Sequence, residues 1–274
     1  MNRIYPPAYQ RLGYFFVILT QRWKYMDFKT QIINASAESY EKFLPHISVD
    51  TVVFGFDQGS LRILLLKMNY NKEWFLPGGY VGKNEDTDEA VKRVLYERSG
   101  VKDIFLEEFA VFGNPQRNQQ SFADYPDTLW NKQRFISIGY YALVNYTHVI
   151  PQPDALSETC QWVDFKDIVT LNITMDHRNM INKALRVLRE RLSYKPIGYN
   201  LLPDKFTMPE LQRLYETVLG KKLNRGNFYR KMKNMGILVK LDEQRKGGAH
   251  KAPDLYKFNQ EVYNSILQEG LNTW

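Results

Sequence analysis

Two acidic side chains, Glu85 and Glu97, flank Arg93 behind a glycine pair, Gly78-Gly79. Carboxylates in such a group are the usual oxygen donors to a divalent cation, which magnesium wants in near-octahedral array. Glu97 is followed at once by Arg98, and a fixed guanidinium charge beside the carboxylate makes a poor magnesium cage. Other reactive chemistries find less support. A lone Cys160 allows neither an intramolecular disulfide nor a cysteine-rich zinc site and suits a reducing cytoplasm. His46, His148, His177 and His250 are scattered and read as structural or surface residues, so no nucleophilic triad is assembled from them. A second concentration of chemistry lies near the far end. From Lys221 to Lys251, ten Lys and Arg stand against two acids, Asp242 and Glu243, a net of +8 in a chain whose total is +7. The rest of the protein is close to neutral.

The elements that must position these groups can be read from periodicity and punctuation. A chain of 274 residues admits one large or two modest domains, and two are expected. Neither composition nor an internal repeat points to disorder or a solenoid. The segment 1–44 is an extension, an amphipathic arm or a poorly ordered one. Its apolar stretch Tyr14 to Thr20 is far shorter than the roughly 20 residues that span a bilayer, and Met26 is an alternative start. From Ile47 strand signals begin: Val52 to Phe56, a turn at Asp57-Gln58-Gly59-Ser60, and the apolar run Leu61 to Met68. Trp74, Phe75 and Leu76 lead into the glycine loop. Behind it, Thr87 and Asp88 cap a helix whose apolar stripe is Ala90, Val91, Val94 and Leu95 and whose end is Gly100. Phe105 to Phe112, Arg134 to Val144 and Cys160 to Phe165 read as further strands. Between the first two, the polar, turn-rich Gly113 to Lys132 is either disordered or a lid over a pocket. Asp176 to Ser193 is helical, with Met180, Ala184, Leu185 and Leu188 on one side.

Proline and glycine at Tyr194-Lys195-Pro196-Ile197-Gly198 mark a junction. The chain then divides as 45–175, a linker helix over 176–195, and a second domain over 196–274. In that domain Thr207-Met208-Pro209-Glu210 has the spacing of a capping box, and Leu211, Leu214, Tyr215, Val218 and Leu219 repeat at helical spacing up to Gly220. A connector, Lys221 to Asn224, precedes a helix over Arg225 to Met235 whose buried edge is Phe228, Met232 and Met235. Two strands follow, Ile237 to Leu241 and Leu255 to Phe258, around the basic tip Arg245 to Lys251. Helix, turn, helix and charged hairpin is the layout of a winged helix-turn-helix. The charge falls on the second helix and the tip, the surfaces that would face a duplex. Arg and Asn suit the edges of guanine and adenine, and Lys suits phosphates. Lys222, Arg225, Asn227, Tyr229, Arg230, Lys231, Lys233, Arg245, Lys246 and Lys251 are the candidate contacts to double-stranded operator DNA.

Counted from Gly79, the positions of Glu85, Arg93, Leu95, Glu97, Gly100 and Val101 resemble the Nudix box of pyrophosphate hydrolases without insertion or deletion. Val94 and Arg98 depart from it, standing where that pattern asks for glutamates that hold catalytic metal. Together with the run Asn200-Leu201-Leu202-Pro203 through Tyr215-Glu216, the chain resembles the Nudix-related transcriptional regulators from about residue 45 to the end. The resemblance implies a mixed α/β fold, a Nudix α/β/α sandwich followed by a small winged helix. It implies a homodimeric cytoplasmic repressor that requires no cofactor or bound metal, has no membrane association, and does not hydrolyse its effector. Family members respond to ADP-ribose or to sugars such as arabinose. The loss of metal carboxylates favours a sugar here, as for control of a catabolic operon, with Trp74, Glu97, Arg117, Arg134 and Tyr140 as candidate effector contacts. Two rival readings stand beside this one. The first is an active hydrolase of ADP-ribose-like substrates with an accessory nucleic-acid-binding domain, its metal site rebuilt from Glu85, Glu97 and one of Glu107, Glu108 or Asp124. The second is a constitutive DNA-binding protein whose Nudix domain only dimerises.

Overall fold

The computed structural model describes residues 27–57, 59–69, 72–102, 104–118, 120–146, 149–192, 196, 198–245 and 252–269. The stretch Tyr14 to Thr20, Met26, His148, His250 and the wing-tip Lys246 and Lys251 lie outside them. Among the described residues, no helix is long and apolar enough to cross a membrane.

The extension is not wholly an unstructured arm. Helix α1 (Phe28–Lys42) starts where the Asp27 carboxylate accepts the Thr30 amide proton at 3.1 Å, and it runs directly into β1 (Phe43–Asp57). That strand is the axis of the first domain. It pairs antiparallel with β2 (Ser60–Met68) and with β4 (Gly78–Gly82), and parallel with β6 (Ile136–Asn145). The short β3 (Trp74–Phe75) and β7 (Ser157–Asp164) extend the sheet from β2, and β5 (Phe105–Phe112) forms the other edge.

Successive side chains on a strand point to opposite faces, and a sheet covered on both faces therefore needs near-continuous apolar runs. Val52, Phe54, Ile63 and Leu65 enter one core, whereas Val53, Leu64 and Leu66 enter another. Helix α2 (Thr87–Ser99) covers the second face through Leu95, and through Ala90, Val91 and Val94 in a third cluster. Helix α3 (His177–Leu192) covers the first face. The cap of α2 differs from the sequence reading. Asp86, not Thr87 or Asp88, is the N-cap, and Glu89 completes a reciprocal box with it, because the acid one residue earlier has a glutamate at the required spacing. Gly100 ends the helix at φ 72°.

The second domain is built as the punctuation indicates, with two additions. Strand β8 (Phe206–Thr207) feeds α4 (Met208–Leu219), which Thr207 and Glu210 cap reciprocally. Helix α5 (Arg225–Asn234), β9 (Leu238–Gln244) and β10 (Asp254–Phe258) follow, and a final helix α6 (Gln260–Glu269) closes over them. The three-stranded order is β8-β10-β9.

Helix α3 is not a free-standing linker, and its apolar side is not available for a dimer seam. Met180, Ile181, Ala184, Leu185, Leu188 and Leu192 are buried in the same cluster as Leu211, Leu214 and Val218 of α4. Polar ties reinforce this: Arg189 Nε donates to the Val218 carbonyl at 2.7 Å, and Thr217 Oγ1 donates to the Gly59 carbonyl at 3.0 Å. Glycines at Ala184 and Leu185 would therefore open the core.

Replacing Thr207 by Ala removes the side-chain cap of α4 and leaves the Glu210 amide without its acceptor. The expected loss is about 1 kcal/mol, measured by urea unfolding of the full chain, against no significant change for an exposed control such as Gln244→Ala. An unchanged midpoint for Thr207→Ala would show that the cap adds nothing to the packing.

Candidate functional site

A cavity of about 350 Å³ opens between the glycine strand β4, the box helix α2, the start of α3 and the loop after β5. Its size falls within the range of small-molecule sites. The loop is folded rather than loose, and Arg117 is the reason. Its guanidinium is buried, donating to Asp50 Oδ2 at 3.1 Å and to Asp176 Oδ1 at 2.9 Å, so that one side chain joins the loop to β1 and to the residue before α3. Asp50 also accepts from Ser137 Oγ at 2.6 Å. Burial works to raise the Asp50 pKa, but the adjoining His177 ring, the Arg117 guanidinium and the Ser137 hydroxyl together outweigh it and hold the carboxyl below its ordinary range. Gly78 passes so close that a Cβ there would meet Asp50 Oδ1 at 1.9 Å, so this position admits glycine alone.

His177, the first residue of α3, stands beside this pair. Its Nδ1 accepts the Leu76 amide proton at 3.1 Å, and its Nε2 lies 3.6 Å from Asp50 Oδ1. Burial pushes its pKa below that of an ordinary imidazole, against the opposing pull of Asp50. Because Nδ1 is an acceptor, the ring's own proton lies on Nε2 and the ring is neutral.

The box residues are arranged around Arg93. Its Nε donates to Glu85 Oε2 and its Nη1 to Glu97 Oε2, each at 2.9 Å, while Nη2 donates to the Tyr80 carbonyl at 2.9 Å. The Gly82 amide also donates to Glu85, and these bonds, with the Arg93 hydrogen bond foremost, depress the Glu85 pKa. Val94 is buried, its Cγ2 only 2.9 Å from where a Cβ on Gly79 would lie. Arg98 forms an ion pair with Asp154 and lies 5.1 Å above the Phe75 ring. This donor set does not fit the magnesium ion that a Nudix fold implies. Where two carboxylates would converge there is a packed valine and a paired cation, and among the described residues no three His, Cys, Asp or Glu side chains converge as ligands. Nor does Glu107 rebuild the site: it accepts from Tyr141 OH and pairs with Arg191, on the α3 side of the sheet and across from α2.

Of the five candidate effector contacts, Glu97 and Arg117 line the cavity, and the other three do not. Trp74 packs at the sheet edge with Lys67 Nζ 5.8 Å from its ring, because β3 pairs it with Lys67. Tyr140 is buried among Val91 and Val94 and donates to Asp88 Oδ1 at 2.8 Å. Arg134 is exposed, with only a 3.4 Å contact to the Gly113 carbonyl. The residues that sequence reasoning missed are Ser48, Asp50, Asn118 and His177. A single acid inside the apolar run of β1 was the available signal, since a carboxylate on a buried strand requires a partner.

On the second domain, α5 turns Phe228 and Met232 inward and leaves Arg225, Gly226, Asn227, Arg230, Lys231, Lys233 and Asn234 exposed. A shallow depression runs along Arg225, Gly226, Tyr229, Arg230, Lys233 and Asn234. Arg230 donates to Asn227 Oδ1 at 2.9 Å, Tyr229 is held by Tyr256 OH at 2.7 Å, and Lys233 Nζ lies 4.9 Å above the Tyr229 ring. Ion pairs hold two further basic candidates. Arg245 pairs with Glu210 at 2.8 Å and Lys222 with Glu216 at 3.2 Å, the latter carboxyl being lowered to about 2 chiefly by the Leu223 amide.

A Nudix-type sandwich with a ligand-sized cavity at its glycine loop, joined to a winged helix with a cationic outer face, defines a DNA-binding regulator built on a Nudix domain. Family models agree: residues 44–184 match the NUDIX domain and 198–258 the NrtR DNA-binding winged helix domain. The chain belongs to the Nudix-related transcriptional regulators that carry the NrtR winged helix. It is 30% identical over 225 residues to the ADPR responsive transcriptional repressor NtrR of Acinetobacter baylyi, covering 80% of this chain and 84% of that protein. Among solved structures it is similar to Shewanella oneidensis NrtR complexed with a 27mer DNA, with a TM-score of 0.67 and 24% identity over 80% of this chain and 95% of that one. A MutT/nudix family protein from Enterococcus faecalis gives a TM-score of 0.61 at 17% identity, covering 94% of this chain and all of that one. Both likenesses concern the fold.

The neutral, buried imidazole links stability to pH. The unfolded chain takes up a proton near pH 6.5, whereas the folded pKa of His177 is lower. Stability is therefore fully present above about pH 6.5 and declines as pH falls from there towards the folded value. Between pH 7.5 and 5.5 the thermal midpoint of the parent should fall more steeply than that of His177→Gln. Parallel slopes would show that His177 does not titrate as placed.

Proposed function

We propose that this protein is a transcriptional repressor whose Nudix domain binds ADP-ribose, or a close nucleotide relative, in the cavity beside the box helix without hydrolysing it. On this reading α5 and the wing bind operator DNA. The observation that carries it is the replacement of the metal carboxylates inside an otherwise intact box. Val94 is packed against Gly79 and Arg98 is committed to Asp154, so the loop and helix that would shape a pyrophosphate ligand persist while the ligands for a hydrolytic metal do not. Without a Lewis acid and an activated water, bound effector stays intact and can act as a signal.

The choice of effector departs from the sugar favoured by sequence. The Acinetobacter relative is ADPR responsive, and the cavity wall is largely apolar and aromatic, with Phe43, Phe75, Tyr80, Phe122 and Phe135. Such a wall suits a purine ring better than a free pentose, whose hydroxyls require polar partners throughout. On α5, the exposed Arg230 and Asn227 are of the types that suit base edges, while Arg225, Lys231 and Lys233 suit phosphates. A pair of copies would match two half-sites one helical turn apart.

With the full chain and a duplex selected from a random pool by the protein itself, ADP-ribose should weaken binding at least tenfold and L-arabinose should leave it unchanged. Chromatography should recover the ADP-ribose intact after incubation with magnesium. Release of AMP by the parent, abolished in Glu97→Gln, would instead establish the hydrolase reading. On the DNA side, Arg230→Ala should cost about 1–3 kcal/mol on the selected duplex and relax preference at one position. Retention of full affinity and preference by that variant would remove α5 as the reading element.

A further inference from the structure

Among the described residues, three buried polar side chains lining the cavity have an atom without a hydrogen-bond partner, Ser48 Oγ, Asn118 Oδ1 and His177 Nε2, and the half-buried Arg98 has another at Nε, a donor. Buried polar atoms are seldom left unpaired in a folded protein, because each costs its full desolvation when no partner is found. Their hydrogen-bonding senses are set by what the rest of each side chain does. Asn118 Nδ2 donates to the carbonyls of Asn131 at 2.8 Å and of Gln133 at 2.7 Å, which fixes the amide and leaves Oδ1 as an acceptor. Leu76 occupies Nδ1 of His177, so the neutral ring offers Nε2 as a donor. The Ser48 hydroxyl can do either.

A ligand group matching this set must both donate and accept. A phosphate at neutral pH is an acceptor and carries charge. It would find nothing to give Asn118 Oδ1 and would sit near the Asp50 carboxylate, while Arg117 is already held by Asp50 and Asp176. Hydroxyl groups satisfy all three atoms. We infer that Ser48, Asn118 and His177 form a subsite for a hydroxyl-bearing sugar ring, with adjacent hydroxyls accepting from His177 and donating to Asn118. This deepens the reading given above, in which the ring would be the terminal ribose of ADP-ribose. The same chemistry could be supplied by a free pentose.

Ser48→Ala is the cleanest test, because among the described residues that hydroxyl has no hydrogen-bond partner to lose. Thr51→Val is the control, since Thr51 Oγ1 is also buried and unpartnered but does not line the cavity. Calorimetry on the full chain would compare ADP-ribose, ADP, D-ribose and L-arabinose. The parent is expected to bind ADP-ribose at least tenfold more tightly than ADP. Ser48→Ala should lose about tenfold for ADP-ribose with ADP changed less than twofold, while Thr51→Val keeps the parent's discrimination. Equal binding of ADP-ribose and ADP by the parent, or equal losses for both in Ser48→Ala, would overturn the subsite while leaving the nucleotide effector in place. Binding of a free pentose that Ser48→Ala weakens, with no binding of either nucleotide, would uphold the subsite and overturn ADP-ribose as the effector. Failure of all four probes to bind the parent would overturn both.

Discussion

The buried guanidinium of Arg117 is the constraint on which the first domain turns. A cation taken out of water costs several kcal/mol unless opposite charges and hydrogen bonds replace the hydration shell. Here the replacement comes from two carboxylates on different elements, Asp50 in the middle of β1 and Asp176 just ahead of α3. Satisfying that one charge therefore fixes where the loop after β5 lies, how α3 approaches the sheet, and where the cavity closes. Removing Arg117 would leave two carboxylates in the interior without their counter-ion, a larger loss than the cluster contributes when intact. The ion cluster specifies geometry more than it adds stability.

A comparable role falls to Arg93 on the other wall. In one side chain it gathers Glu85, Glu97 and the Tyr80 carbonyl, tying the glycine strand to the box helix. In a metal-dependent relative of this loop such carboxylates would be drawn towards the ion. In this chain they are held by an arginine, which ties the loop to the helix.

Much of this was legible in the sequence. The turn at Gly59, the apolar runs of β1 and β2, the Thr207 capping box and the inward set Phe228 and Met232 all follow from local patterns that the tertiary structure respects. The cavity was legible only in part. Of the effector contacts expected from sequence, Glu97 and Arg117 line the cavity, whereas Trp74 and Tyr140, chosen for aromatic character, pack away from it. Arg117 was recognisable as chemistry, not as a strut, because its partners lie 67 and 59 residues away in the chain. Helix α1 escaped notice because its apolar residues are few and its contacts are distant: Ser36 Oγ accepts the Trp130 amide proton at 2.8 Å, and Tyr40 packs edge-on against that ring at 4.7 Å. Strand β8, two residues long, has no periodicity to read.

The apolar cluster that runs unbroken from β1 through α3 to α4, α5 and α6 bears on how the molecule can be dissected. Family boundaries invite cutting the chain near residue 196 to obtain each half alone. Such a cut would lay bare the buried faces of Leu188 and Leu192 on one fragment and of Leu211, Leu214 and Val218 on the other. Each fragment would then carry a greasy scar, and contiguous apolar patches of that kind drive soluble proteins to self-associate. The same continuity means that heat should melt the two halves together, in one cooperative transition rather than two. For this protein the domain is a unit of ancestry, while the described residues of both halves pack around one shared core.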